Sequence, residues 1–270
     1  MRLPASTVTL QNGVMLAYAS HGDPSGPSLV LLPGPADSWR SYEPVLAQLP
    51  PSVRAIAVSQ RGHGDSDKPA VGYGVEDFAA DVVPLLDELG IERAVVAGHS
   101  GSCLVARRVA IDHPDRVAGL VLEASPTTLR GHPGLESFVE SVVSSLTDPI
   151  DPTFARSFVT DTSAEGLTPD VLDLLAGEIV KVPARAWKEM FARLLDLRRP
   201  GGARQDQRSD AAGLGRRRRP RRAGMQDMLT ARIRGANLVV YPGVGHTPRW
   251  EDPSRFANDV GAFVERMGYA

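Results

Sequence analysis

The sequence predicts an α/β fold: a doubly wound, mainly parallel sheet with an inserted helical cap. Three observations predict it. Short apolar runs alternate with amphipathic helical stretches over the first 125 residues. From Pro126 to Leu195 the spacing is helical throughout, with no convincing strand. Strand–helix character then resumes near the C-terminus. Strands alternating with helices indicate right-handed βαβ units and hence a parallel sheet. No internal repeat is visible.

The elements follow in order. Thr7–Leu10 and Val14–Ser20 alternate around Asn12-Gly13, a hairpin signal with a favoured turn dipeptide. Ser28–Pro33 and Val53–Val58 are apolar runs suited to strands buried on both faces. Phe78, Val82, Leu85, Leu86 and Leu89 give Val75–Leu89 helical spacing, with Gly90 as its stop. Arg93–Ala97 reads as a buried strand, Cys103–Asp112 as a helix and Val117–Glu123 as the next strand. Within the insertion, Phe138, Val142, Phe154, Phe158, Trp187, Met190, Phe191 and Leu194 recur at helical spacing. Ala236–Tyr241 is the expected last strand, and a final helix surrounds Phe256–Met267. Residues 1–125 and 223–270 are thus expected to form the core, and 126–196 the cap.

A chain of 270 residues with 42% hydrophobic and 23% charged side chains is long enough to bury a sizeable core. No apolar run approaches the roughly 20 residues that span a bilayer, and Met1-Arg2-Leu3-Pro4 leads into polar residues rather than a signal-peptide core. Cys103 is the only cysteine, which excludes an internal disulfide; a reducing, cytoplasmic setting is expected. The net charge of −2 hides an asymmetry. Residues 197–222 hold ten Arg against Asp206 and Asp210, and the remainder has 20 basic and 30 acidic side chains, a net of −10.

The strongest chemical signal is Gly98-His99-Ser100-Gly101-Ser102 between a buried strand and a helix. A nucleophile there sits on a tight turn that demands small residues two positions before and after it. Gly98 and Ser102 meet that demand. The helix that follows aims N–H groups and its positive end at the site. The second signal is Val244-Gly245-His246-Thr247-Pro248 after the expected last strand. A Ser hydroxyl needs an adjacent base, and His suits that role near neutral pH. The blander readings are a connecting Gly/Ser loop and a surface histidine.

These segments, with Leu32-Pro33-Gly34-Pro35-Ala36-Asp37-Ser38-Trp39, Gln60-Arg61-Gly62-His63-Gly64-Asp65-Ser66 and Trp250-Glu251-Asp252-Pro253, resemble the α/β-hydrolase family over nearly the whole length. The resemblance implies the order nucleophile, cap, acid, His. It makes Ser100 and His246 catalytic, Gly101 N–H an oxyanion donor, and acyl substrates (esters, lactones or thioesters) the target. Family enzymes acting on haloalkanes and epoxides generally carry Asp in place of this Ser. The apolar cap suggests a small, mostly apolar substrate, with Trp39 and Trp187 as candidate substrate-binding side chains. No cofactor or metal is expected, because His21, His63, His99, His113 and His132 show no ligand spacing. A small-molecule substrate is the expected partner, with no nucleic acid and no membrane; the oligomeric state is open. The rival reading is a ligand-binding or signalling protein that turns over slowly.

Two departures from the family pattern stand out. The second oxyanion donor should follow Pro33-Gly34, but Pro35 has no N–H; Ala36 N–H, Ser38 or Trp39 are the possible substitutes. Losing one donor costs roughly 10²–10³ in rate. The strand that usually ends in the catalytic Asp is replaced by the Arg-rich segment 197–222, in which no run could bury in a sheet. Such composition is what GC-rich coding DNA gives in a wrong frame. Permissible codons for 197–221, read one nucleotide later, can spell a peptide ending T-L-L-V-W-G-D-A-D-A-L-V, which holds a strand and its Asp. A solvated basic loop is the alternative; one Arg run without interleaved aromatics is thin ground for a nucleic-acid-binding arm. As the chain stands, Glu123 is the best candidate acid, at the end of the strand Val117–Glu123; the bland alternative is a Glu that hydrogen-bonds nearby loop N–H groups.

Overall fold

The computed structural model describes residues 3–163, 167–196 and 223–268. Its sheet contains β1 (Ser6–Thr9), β2 (Met15–His21), β3 (Ser28–Leu32), β4 (Arg54–Val58), β5 (Ala94–His99) and β6 (Val117–Glu123), in the spatial order β1-β2-β4-β3-β5-β6. β1 and β2 form the expected antiparallel hairpin, with Gly13 at φ +83° in its turn, and β2 pairs antiparallel with β4. β4, β3, β5 and β6 are parallel. This is the doubly wound, mainly parallel sheet that the alternation implies.

The period of two along each strand divides the core. Leu29, Leu31, Ala55, Ala57, Val95 and Ala97 point to one face. They pack on α1 (Glu43–Leu46) and the C-terminal α10 (Pro253–Gly268), through Val45, Leu46, Phe256, Val260 and Val264. Val30, Leu32, Ile56, Val58 and Val96 point to the other face, against α2 (Val75–Glu88) and α3 (Ser102–Asp112). α2 ends where the sequence says: Gly90 takes φ +63°, the left-handed conformation that Cβ disfavours, and its N–H returns to Asp87 O.

Among the described residues of 126–196 every α or β element is a helix: α4 (Pro133–Ser141), α5 (Pro152–Thr162), α6 (Pro169–Ile179) and α7 (Ala184–Asp196). The buried face of α7 is Trp187, Met190, Phe191 and Leu194, one apolar stripe. The Trp187 ring stacks on Phe191 at 5.5 Å and meets Phe154 and Phe158 edge-on. α8 (Ala223–Arg232) and α9 (Pro248–Glu251) complete the described helices. None of these is long and apolar enough to cross a membrane.

One expectation is corrected. Ala236–Tyr241 forms no strand, and Leu238, Val239 and Val240 are exposed. A strand exists through its neighbour, and among the described residues none pairs with the far edge of β6. The interior residues of β6 are accordingly half-buried, whereas β5 is buried throughout. The Arg-rich segment expected to be irregular lies outside the described residues.

Candidate active site

Among the described residues, three non-glycine residues have left-handed backbone, and the loops at the carboxyl ends of β3, β5 and β6 carry them: Ala36 at φ +66°, Ser100 at +52° and Ala124 at +50°. Each such conformation costs about 1–2 kcal/mol and persists only where its surroundings impose it. Ser100 is imposed by its neighbours. Its N–H donates to Glu123 O at 2.9 Å, and its own carbonyl accepts from Cys103 N at 3.1 Å, opening α3. Gly98 permits the turn, since a Cβ there would stand 2.5 Å from Ser102 O. Ser102, where the common pattern has Gly, ties the elbow to the β3 loop by donating to Pro33 O at 2.6 Å.

Gly101 N–H makes no hydrogen bond among the described residues. Gly101 lines a narrow surface crevice, together with Pro35, Gln60, Ser102, Met190 and Leu194. The substitutes expected for the second oxyanion donor are committed elsewhere. Ala36 N–H donates to His63 Nε2 at 3.0 Å, Ser38 N–H to the Asp37 carboxylate and Trp39 N–H to Ser59 Oγ, while Ser38 Oγ accepts from Arg40 N. Burial lowers the His63 pKa to about 4, so Nε2 stays a bare acceptor. Trp39 and Trp187 are fully buried in packed cores, and neither lines the crevice. Met190 and Leu194, one and two turns beyond Trp187, do.

His246 is exposed, on the loop before α9. His99 Nε2 lies 3.0 Å from His246 O, and the two imidazole centroids are 4.8 Å apart. The ring therefore stands over the residue preceding Ser100, although no hydrogen bond joins Ser100 to His246. Protein atoms crowd one side of the ring even as the residue meets solvent; that desolvation, and then the Arg249 charge, lower its pKa to about 4. The nearby carboxylate is Glu251, which holds the loop by accepting from Gly245 N, Thr247 N and Thr247 Oγ1.

Glu123 is buried at the end of β6 and makes no hydrogen bond to His246. Its Oε1 accepts from Arg249 N and Nη1, each at 3.2 Å, and its Oε2 from the Tyr42 hydroxyl at 3.3 Å. Arg249 is completely buried; it also donates to Asp37 Oδ2 at 2.9 Å and stacks over Trp250 at 4.4 Å. Burial raises the Glu123 and Asp37 pKa values, and the Arg249 charge pulls them back. Sequence reasoning missed Arg249. Its signal was slight: an Arg in the first turn after Pro248, where the flanking pattern otherwise matches the family.

Known proteins agree with this architecture. The alpha/beta hydrolase family matches residues 29–260. Epoxide hydrolase A of Mycobacterium tuberculosis is 35% identical over 135 residues, 48% of this chain and 41% of that protein. A non-heme chloroperoxidase of Streptomyces lividans is 40% identical over 120 residues, 43% of each. The chain thus spans less than half the length of these curated relatives. Among solved structures, an esterase from Exiguobacterium antarcticum superposes with a TM-score of 0.74 at 17% identity, covering 96% of this chain and 99% of that one. The enol-lactonase from Burkholderia xenovorans LB400 gives 0.72 at 20%, covering 96% and 99%. With the family matched across most of its length and the same fold found end to end, the chain belongs to the alpha/beta hydrolase family.

Proposed function

We propose that this protein is a serine hydrolase acting on a small, mostly apolar ester, lactone or thioester through Ser100 and His246. The observation that carries the reading is Ser100 itself. It is a half-buried residue held at φ +52° on a strand–helix turn, next to Gly101, whose N–H is uncommitted and which lines a narrow, mostly apolar crevice. In the proposed reaction Ser100 Oγ bonds to the substrate carbonyl carbon while His246 takes its proton. The carbonyl oxygen becomes an oxyanion facing Gly101 N–H. As the C–O or C–S bond breaks, His246 returns the proton to the leaving group, and water then releases the acyl chain by the same steps. A hydroxyl nucleophile suits acyl carbon, which sets the reading apart from the epoxide hydrolases among the relatives.

The committed Ala36 N–H and the absence of a Ser100–His246 hydrogen bond favour a second reading, a ligand-binding protein with slow turnover. Turnover of p-nitrophenyl esters by the protein and by Ser100→Ala separates them. Activity lost in Ser100→Ala supports hydrolysis. Activity retained there overturns the nucleophile, and background activity in both supports the binding protein.

A further inference from the structure

We infer that Arg249 positions the proposed base: its buried guanidinium pins the His246 loop to the strand end that holds Ser100 and to the loop after β3. The inference rests on the proposed hydrolase reading and adds to it a residue that acts through His246.

The His246 loop needs an anchor. Between Pro242 and Asp252 only Thr247 and Arg249 are buried. Gly245 and Thr247 bond to Glu251 of the same segment, which shapes the loop without attaching it. Beside the ring, the attachment is the His246 carbonyl, which accepts from His99 Nε2. One hydrogen bond at one backbone atom leaves the loop free to swing about it. A second fixed point removes that freedom. Arg249 supplies one three residues on, at most roughly 11 Å of chain from His246.

Each side-chain nitrogen of Arg249 is used. Nη1 donates to Glu123 Oε1 at 3.2 Å, Nη2 to Asp37 Oδ2 at 2.9 Å and Nε to Ser41 Oγ at 3.3 Å, and the backbone N joins Nη1 on Glu123 Oε1. Trp250 Nε1 adds a bond to Ser41 O at 2.8 Å. Glu123 carries the connection to the nucleophile, because its backbone oxygen accepts from Ser100 N at 2.9 Å. Base loop and nucleophile are thus tied to one residue, the first through its side chain and the second through its backbone. A buried ion cluster is a weak source of stability, since desolvation cancels most of its attraction and apolar residues of like volume serve as well. What it adds is direction: a planar fork of N–H groups is held in one orientation, which an ammonium or an apolar chain does not reproduce. Glu123→Gln retains a carbonyl oxygen for Arg249 and so retains the pin.

Arg249→Lys tests the pin, because it leaves the buried carboxylates a cation and removes the fork. With p-nitrophenyl butanoate, kcat is expected to fall roughly tenfold or more while KM changes by less than about twofold; Arg249→Met should fall further, to about 10² below the parent. A geometric readout needs no turnover. With ring-labelled histidine, the nuclear Overhauser contact between the His99 and His246 rings, whose centroids lie 4.8 Å apart, is expected in the parent and lost in Arg249→Lys. Loss of turnover and ring contact together upholds the inference. It is overturned by an unchanged kcat in Arg249→Lys, by a rise in KM alone, or by a ring contact that survives there or is missing from the parent. Should Arg249→Met not fold, Arg249→Lys decides alone. Absence of Ser100-dependent turnover in the parent sinks the hydrolase reading, and the ring contact then decides the inference by itself.

Discussion

His99 Nε2–H donates to the carbonyl of His246 across 3.0 Å, so the residue before Ser100 is tied to the loop that carries the proposed base. The carbonyl can only accept, which places the proton on Nε2 and leaves Nδ1 bare against Gly34, where a Cβ would stand 2.5 Å away. Burial holds the His99 pKa well below its usual value, with Arg249 and His246 adding to the shift, so the ring is neutral and the tautomer single.

His99→Phe should therefore loosen the His246 loop without emptying the space. Stability is expected to fall by about 1 kcal/mol, the net worth of one hydrogen bond. Ester turnover should fall further, roughly tenfold or more, because small displacements of a base are expensive. Urea unfolding and p-nitrophenyl ester kinetics on the same preparation check this. Unchanged kcat with reduced stability would make the contact one of packing alone.

Ser100→Gly should separate strain from chemistry. At φ +52° a Cβ is disfavoured and glycine is not. The variant is expected to gain stability, by up to about 1 kcal/mol, while losing hydrolysis; Ser100→Ala keeps the strain and should lose hydrolysis with little change in stability. Equal melting of both variants would show that the turn imposes no strain at this position.

Much of this was legible before any coordinates. Period-two and helical runs mark the hairpin, β3 to β6, α2, α3 and α10, because those elements bury one face or two against partners also present in the chain. The elbow was legible because Gly98 and Ser102 are what its crowding permits. Ala236–Tyr241 reads as a strand by composition, but a strand is made by its neighbour, and no described residue pairs beside β6. Trp39 and Trp187 read as substrate contacts because aromatics near a site invite that; packing put both in cores. Arg249 carries no periodicity at all. What matters about it is a set of partners distant in sequence: Asp37, Tyr42 and Glu123.

Arg249→Met should leave two buried carboxylates without their cation. Removing one partner of a buried pair costs about 3–5 kcal/mol, and here the cost should depend on pH. Burial already holds Glu123 and Asp37 above their ordinary pKa values, and loss of the Arg249 charge must raise them further. Between the unfolded and folded values the native state binds more protons, so stability falls as pH rises through that window. The variant is expected to unfold more easily at about pH 8 than at about pH 5, with part of the deficit recovered on acidification. Urea unfolding at both pH values measures it. A deficit independent of pH would mean that Arg249 acts through its stacking on Trp250 and Tyr42 rather than its charge.

Glu123→Gln and restoration of the alternative reading frame, taken together, identify the acid that should orient His246. Both Glu123 oxygens are occupied by Arg249 and Tyr42, and neither is hydrogen-bonded to His246. Glu123→Gln should thus reduce stability, by about 1–3 kcal/mol for a weakened bond to a charged group, while leaving ester turnover within a few-fold of the parent. With permissible codons, 197–221 read one nucleotide later can supply the strand and Asp that the family pattern expects after the cap. Such a strand has a place to go, since β6 offers a half-buried edge with which no described residue pairs. A carboxylate that fixes the imidazole tautomer and steadies the imidazolium is worth about 10⁴ in kcat. The frame-restored chain is therefore expected to gain activity by orders of magnitude, with slowed amide exchange along β6, and Glu123→Gln should remain nearly silent there too. A large loss of turnover in Glu123→Gln of the present chain would instead make Glu123 the working acid. No gain on restoration would favour the slow, ligand-binding reading of the site.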